Sequence, residues 1–169
     1  QGYLFPLPPN AGRFLLQEAD NIKFYISEEA IITGINNSKI PATEKEALVK
    51  SRIGQGRFKK DLLAYWDSQC AVTGFSGGDL LRASHIKPWR DCNNAERLDK
   101  FNGLLLSPSY DAAFDSGYIS FKNDGTIIIS EQLSSQSHSL IGITSSGKVE
   151  NLDARHQRYL EYHRDLILK

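Results

Sequence analysis

Apolar positions recur along this chain with two periods, and the switches between them mark the elements. Around Ile22–Ile26 and Ala30–Ile35 the alternation is that of short strands. Residues 1–12 are rich in Pro and Gly and read as an extended opening segment rather than a signal peptide. Residues 1–50 therefore read as a small β-rich segment or a linker from an upstream domain. KIPATEKEALVKSRIGQ reads as linker running into helix, with Thr43 and Glu46 at capping-box spacing. RFKKDLLAYWDSQ takes up a helical period: Phe58, Leu62, Leu63, Tyr65 and Trp66 make an apolar stripe, with Lys59, Lys60 and Asp61 outside it.

Beyond that helix the elements shorten. CAVTGFSGGDLLRASHI reads as strand or loop, a Gly-rich turn, then a strand. KPWRDCNNAERLDKFN is a polar loop with room for one helical turn. GLLLSP is a short strand stopped by Pro108, and SYDAAFDSG a short helix opened by Ser107 or Ser109 and closed by Gly117. GYISFKNDGTIIIS is a hairpin turning at Asn123-Asp124-Gly125. SSQSHS, with His138, reads as a loop. The last stretch is a helix with Tyr159, Leu160, His163, Leu166 and Ile167 on its inner side. The fold class is α+β, and residues 51–169 form the main domain.

Composition narrows the class without naming a function. With 169 residues, 40% hydrophobic and 24% charged, the chain can build one core. No apolar run is long enough to span a bilayer. Cys70 and Cys92 make neither a disulfide framework nor a CxxC metal knuckle and suit a reducing cytoplasm. There is no methionine, as expected of a processed product or a piece of a longer chain. Formal net charge is zero, but residues 50–100 hold ten Lys or Arg against six Asp or Glu. That local surplus suits phosphate contacts.

Candidate chemistry gathers in ASHIKPW, NGLLLSPSYD and AAFD. His85 ends a strand. Asp111 and Asp115 are four apart on a helix, so their carboxylates share a face. Two like charges held together repel, and a divalent cation between them removes that cost. Oxygen donors favour Mg²⁺ or Mn²⁺, and a nearby imidazole would also tolerate Zn²⁺ or Ni²⁺. A neutral His next to a metal-bound phosphate is suited to deprotonating water. The bland alternatives are a core histidine at His85 and a turn residue at Asp115 ahead of Ser116-Gly117.

The ordered string CAVTG, LLRASHIKPW, ERLD, NGLLLSPSYDAAFDSGYISF and DGTIIIS resembles the HNH endonuclease superfamily, and more narrowly its bacterial branch of restriction and phage-defence nucleases. The resemblance runs from Arg52 to Ser130, with a similar YLxYHR tail at 159–164. It implies a ββα-metal core with flanking helices, a C-terminal hairpin and a C-terminal helix. It further implies that His85 is the general base and that Asn102 holds the loop or orients the His ring. Asp111 and Asp115 match metal ligands. Ser84 stands where many relatives carry Asp or His as the first ligand, a departure that leaves either water or an indirect role for Ser84. The implied reaction is metal-dependent hydrolysis of DNA leaving a 5′-phosphate.

Several other residues carry two readings each. Lys87 and Arg90 are candidate phosphate contacts or a solvated loop, and Trp89 is a packing residue or a sugar platform. Arg52, Gln55 and Arg57 are candidate DNA contacts, with Gly54 and Gly56 letting the backbone approach closely. A basic start to the helix at 57 opposes the helix dipole, as if an anion compensated. His163 reads as a helix–core contact. Two other function classes stay open: a DNA-binding module that kept the fold without cleavage, motivated by Ser84, and a nuclease toxin acting on RNA or DNA. A homodimer and an upstream sensor or specificity domain are further expectations.

Overall fold

The computed structural model describes residues 28–169, so the strand expected at Ile22–Ile26 and the opening segment lie outside the described residues. The chain divides into two compact units, residues 1–53 and 54–169. In the first, helix α1 spans Glu28–Asn37. The strand expected over Ala30–Ile35 is thus helical. Ser38 Oγ donates to the Ile35 carbonyl and Lys45 Nζ to that of Asn36, closing the last turn of α1.

Helix α2 runs unbroken over Ala42–Tyr65, through Gly54 and Gly56, and the unit boundary falls within it. It starts on the Pro41 carbonyl, which accepts from Glu44 and Lys45 N–H. Thr43 is therefore inside the helix rather than capping it, and Glu46 pairs forward with Lys50 at 2.6 Å. Arg52 and Arg57 are consequently mid-helix, and no dipole argument applies to them.

The second unit is built on two small antiparallel sheets. Strand β1 (Arg82–His85) pairs with β2 (Gly103–Leu106), matching Ser84 with Leu104 and His85 with Gly103. Between them lies helix α3 (Asn94–Leu98), flanked by single 3₁₀ turns at Trp89–Asp91 and Lys100–Asn102. Asn93 caps α3 by accepting from Ala95 and Glu96 N–H, and Glu96 reaches back to Asn93 N–H, a complete capping box. Helix α4 spans Pro108–Asp115 with Pro108 in its first turn. Ser107 precedes it without a side-chain cap. The hairpin of β3 (Ile119–Phe121) and β4 (Ile127–Ile129) follows. SSQSHS is not a loop but part of helix α5 (Ser135–Leu140), capped by Ser134 Oγ. The chain closes with a 3₁₀ turn at Ala154–His156 and helix α6 (Gln157–Leu166).

The core joins these pieces through Phe58 and Leu62 of α2, Trp66 just after it, Leu104, Leu105 and Leu106 of β2, Phe114 of α4 and Tyr159 and Leu160 of α6. Leu166, expected inward, is exposed. His163 is the one polar member of the inner α6 face. Its ring stacks on Phe114 at 3.8 Å, Nε2–H donates to the Phe114 carbonyl, and Nδ1 accepts from Ser120 Oγ. Burial lowers its pKa to about 4, so it is a neutral strut between α4 and the hairpin.

Two glycines set close approaches. Gly117 ends α4 at φ 72°, and a Cβ there would come within 2.2 Å of the Ile167 carbonyl oxygen. Gly103 is extended (φ −149°), so its requirement is room: a Cβ would lie 2.5 Å from Phe58 Cζ and under 3 Å from both Leu62 methyls. Gly103→Ala should cost about 1–3 kcal/mol through overpacking, measured as a lowered urea midpoint at unchanged slope. An unchanged midpoint would show that Phe58 and Leu62 yield freely.

Candidate active site

Neighbouring residues of a strand leave opposite faces, and β1 uses this to separate two sets of contacts. Ser84 points toward α4, where its Oγ donates to Asp115 Oδ1 at 3.1 Å. His85 points toward α2, where its ring lies flat on Phe58 with centroids 3.8 Å apart and planes 11° from parallel. Trp89 meets the same ring edge-on at 5.4 Å. Gly103, opposite His85, leaves the space that Phe58 fills.

The His85 ring is oriented by a backbone carbonyl. Nε2 lies 3.0 Å from the oxygen of Arg97. A carbonyl can only accept, so Nε2 carries the proton and the neutral ring keeps its lone pair on Nδ1. The Arg97 carbonyl is available because the last turn of a helix leaves its carbonyls without intrahelical partners. His85 is 6% exposed, and burial, with the nearby Arg97 charge, lowers its pKa to about 4 despite the hydrogen bond. It is a neutral imidazole throughout the physiological range.

Asn102 is fully buried and pins the segment that follows His85. Its Oδ1 accepts from Lys87 N–H at 2.8 Å, while Nδ2 donates to the Glu96 carbonyl at 3.1 Å, to Cys92 Sγ at 3.1 Å and to the Lys87 carbonyl at 3.4 Å. Of its two expected roles, these contacts are those of holding the loop. The ring is oriented by Arg97. Asn102 thus makes no contact with the His85 ring among its hydrogen bonds and ties Lys87, Cys92 and Glu96 together.

Asp111 and Asp115 sit one turn apart on α4. Burial and the Asp115 charge push the Asp111 carboxyl up to about 6, against the opposing pull of Ser84 and Arg82. Asp115 is also raised, through the protein around it, although its side chain is open to solvent and well screened. Among the described residues neither carboxylate forms an ion pair, and the Arg82 charge acts on Asp111 without closing one. Among the described residues no three His, Cys, Asp or Glu side chains come together as a metal cluster. The donors present are two carboxylates and a hydroxyl, all hard oxygens. Mg²⁺ or Mn²⁺ commonly binds through one or two carboxylates while keeping several waters, so these residues fit such an ion. They lack the imidazole or thiolate set that would select Zn²⁺ or Ni²⁺.

The expected phosphate contacts are differently placed. Lys87 Nζ lies 2.9 Å from Glu96 in a largely shielded ion pair and sits over the Tyr162 ring. Arg90 pairs with Asp91 at 3.6 Å, and exposed Arg57 with Asp61 at 3.9 Å. Arg52 is exposed on α2 in the first unit, and Gln55 is half-buried on the same helix in the second. Gly54 does give a close approach, but to protein: a Cβ there would meet Leu98 at 3.4 Å and Trp89 at 3.7 Å. Reading the sequence missed Phe58, Arg97 and Cys92 as partners of the site. The Asn93–Glu96 capping spacing was the available signal for α3, and with it for a free carbonyl near His85.

If a cation binds the aspartates, proton and metal compete for Asp111. In EDTA the pair's contribution to stability is full below the ordinary carboxylate range and is lost as pH rises through about 6, since ionisation in the folded state is disfavoured. Buried His85 and His163 act oppositely, their contribution being lost as pH falls from their ordinary value toward about 4. The difference in Tm with and without Mn²⁺ isolates the aspartates. It should be small at pH 5 and grow through pH 6 to 7, and Asp111→Asn should abolish it. A pH-independent difference would place the ion elsewhere.

No curated protein matches the chain. The sequence pattern of the HNH endonuclease family matches residues 70–122, a narrower span than the resemblance suggested, and that stretch holds β1, α3, β2, α4 and β3 with His85, Asn102, Asp111 and Asp115 inside it.

Proposed function

We propose that this chain is a metal-dependent endonuclease that hydrolyses DNA phosphodiesters, serving in restriction or phage defence in the bacterial cytoplasm. The observation that supports the reading is a neutral, oriented imidazole at His85 next to Ser84, whose hydroxyl bonds the Asp111–Asp115 helix at Asp115, all inside the segment matching HNH endonucleases. A divalent ion held by Asp111 and Asp115, with Ser84 beside it, would supply positive charge to the scissile phosphate and the departing 3′ oxygen. His85 Nδ1 takes a proton from the attacking water. The water oxygen bonds to phosphorus as the P–O3′ bond breaks, and the departing 3′ oxygen takes a proton from solvent, leaving a 5′-phosphate and a 3′-hydroxyl. Asn102 and the Arg97 carbonyl keep the imidazole in the required tautomer and place.

Among the described residues the donor set stops at two carboxylates and a hydroxyl, which supports a second reading, a DNA-binding module without cleavage. Plasmid incubation with Mg²⁺, Mn²⁺ or EDTA separates the two. The expected result is metal-dependent nicking or linearisation. A general base contributes roughly 10²–10⁴-fold, so His85→Ala should lose that much rate. Near-UV circular dichroism should confirm that the variant keeps its fold. Wild-type-rate cutting by folded His85→Ala would overturn the base assignment. DNA binding without cutting in any metal would establish the second reading.

A further inference from the structure

Arg82 takes no part in the site as read from the sequence, yet it occupies the position where a phosphate would need a cation. It lies two residues before Ser84 on β1, so both side chains leave the α4 face of the strand. Ser84 is bonded to Asp115, and the Arg82 charge reaches the Asp111 carboxylate, where it counters the push of burial. The side chain is exposed, and among the described residues its one hydrogen bond is a long contact of 3.4 Å from Nη1 to the Asp79 carbonyl. Among the described residues it forms no ion pair. Lys87, Arg90 and Arg57 all have carboxylate partners. A metal-ligating carboxylate pair is an anionic surface that repels a nucleic-acid backbone. An arginine on its rim, uncommitted to either carboxylate, offers two parallel N–H donors to non-bridging phosphate oxygens.

We propose that Arg82 is the phosphate-binding arginine of this site, gripping a backbone phosphate of the DNA strand beside the carboxylate pair. The inference rests on the nuclease reading for the cutting step but not for the binding step. As a fixed cation next to the reacting group, Arg82 stabilises charge that builds on the phosphate during attack. It also offsets the carboxylates when no metal is bound. Its removal should therefore weaken DNA contact while leaving metal affinity equal or tighter, a pattern that loss of a metal ligand would not give.

The test compares wild type, Arg82→Ala and Arg82→Lys. Binding to a labelled DNA duplex is followed by anisotropy in Ca²⁺ across a salt series, Mn²⁺ affinity by titration, and cutting in Mg²⁺ or Mn²⁺. Arg82→Ala should lower the salt slope of log K by about one phosphate. It should reduce kcat about 100-fold, with Mn²⁺ affinity unchanged or raised. Arg82→Lys should recover part of the binding and less of the rate, because it keeps charge but loses the two-pronged geometry. An unchanged salt slope and affinity in Arg82→Ala would overturn the proposal whether or not the wild type cuts. A tenfold or greater loss of Mn²⁺ affinity would also overturn it, showing that Arg82 supports the metal site instead. A wild type that binds duplex but cuts in no metal would remove the nuclease reading and leave the phosphate contact to be decided by the salt slope.

Discussion

The geometry of the candidate site depends on the carbonyls at the end of one five-residue helix. The last turn of any helix leaves carbonyls that need partners. In α3 the Glu96 carbonyl takes Asn102 Nδ2, and the Arg97 carbonyl takes His85 Nε2. His85 and Asn102 therefore read adjacent carbonyls of the same helix end. A helix this short has little stability of its own. It is held by its capping box at Asn93, by the Lys87–Glu96 ion pair and by Asn102 from beneath. Loosening any of these releases the carbonyl that fixes the imidazole.

On the other face of β1 the problem is charge rather than orientation. α4 is fixed from behind by the stack of His163 on Phe114 and by the bond from Lys169 N–H to the Gly117 carbonyl. It therefore keeps Asp111 in the protein-lined setting whose burial raises its carboxyl. Rigid support keeps two carboxylates in a place where at least one holds a raised affinity for a proton or a cation. The same strand thus holds an apolar-packed, neutral imidazole on one side and, through Ser84, faces the carboxylate pair of α4 on the other.

Much of this was legible in the sequence, and the failures have physical causes. The NGLLL strand, the short helix after Pro108 and the hairpin at Asn123-Asp124-Gly125 each carry a strong local signal, and each formed where expected. Ala30–Ile35 did not: a short apolar run fits either period, and α1 took the helical one. The helix start expected at 57 lies mid-helix, because α2 runs on through Gly54 and Gly56, and a glycine's cost of about 1 kcal/mol is easily absorbed in a 24-residue helix. Gly54 marks close packing against Trp89 and Leu98 instead. For the site, His85, Asn102 and the two aspartates could be singled out because their side chains carry the chemistry. The Arg97 carbonyl could not, since a backbone atom has no letter in the sequence. Nor could the pairing of Lys87 with Glu96, which depends on how a nine-residue loop folds back on itself.

Gly103 carries a consequence for strand pairing. Antiparallel strands this short can slip by one residue, and a slip exchanges the faces of every side chain. Here the displaced register would bring a full side chain under Phe58 and Leu62, where only a hydrogen fits. It would also exchange Ser84 and His85 across the strand, delivering the imidazole to the aspartates and the hydroxyl to the aromatic face. The missing Cβ thus acts as a register key, favouring the alignment of β1 and β2 in which imidazole and carboxylates stay on their own sides.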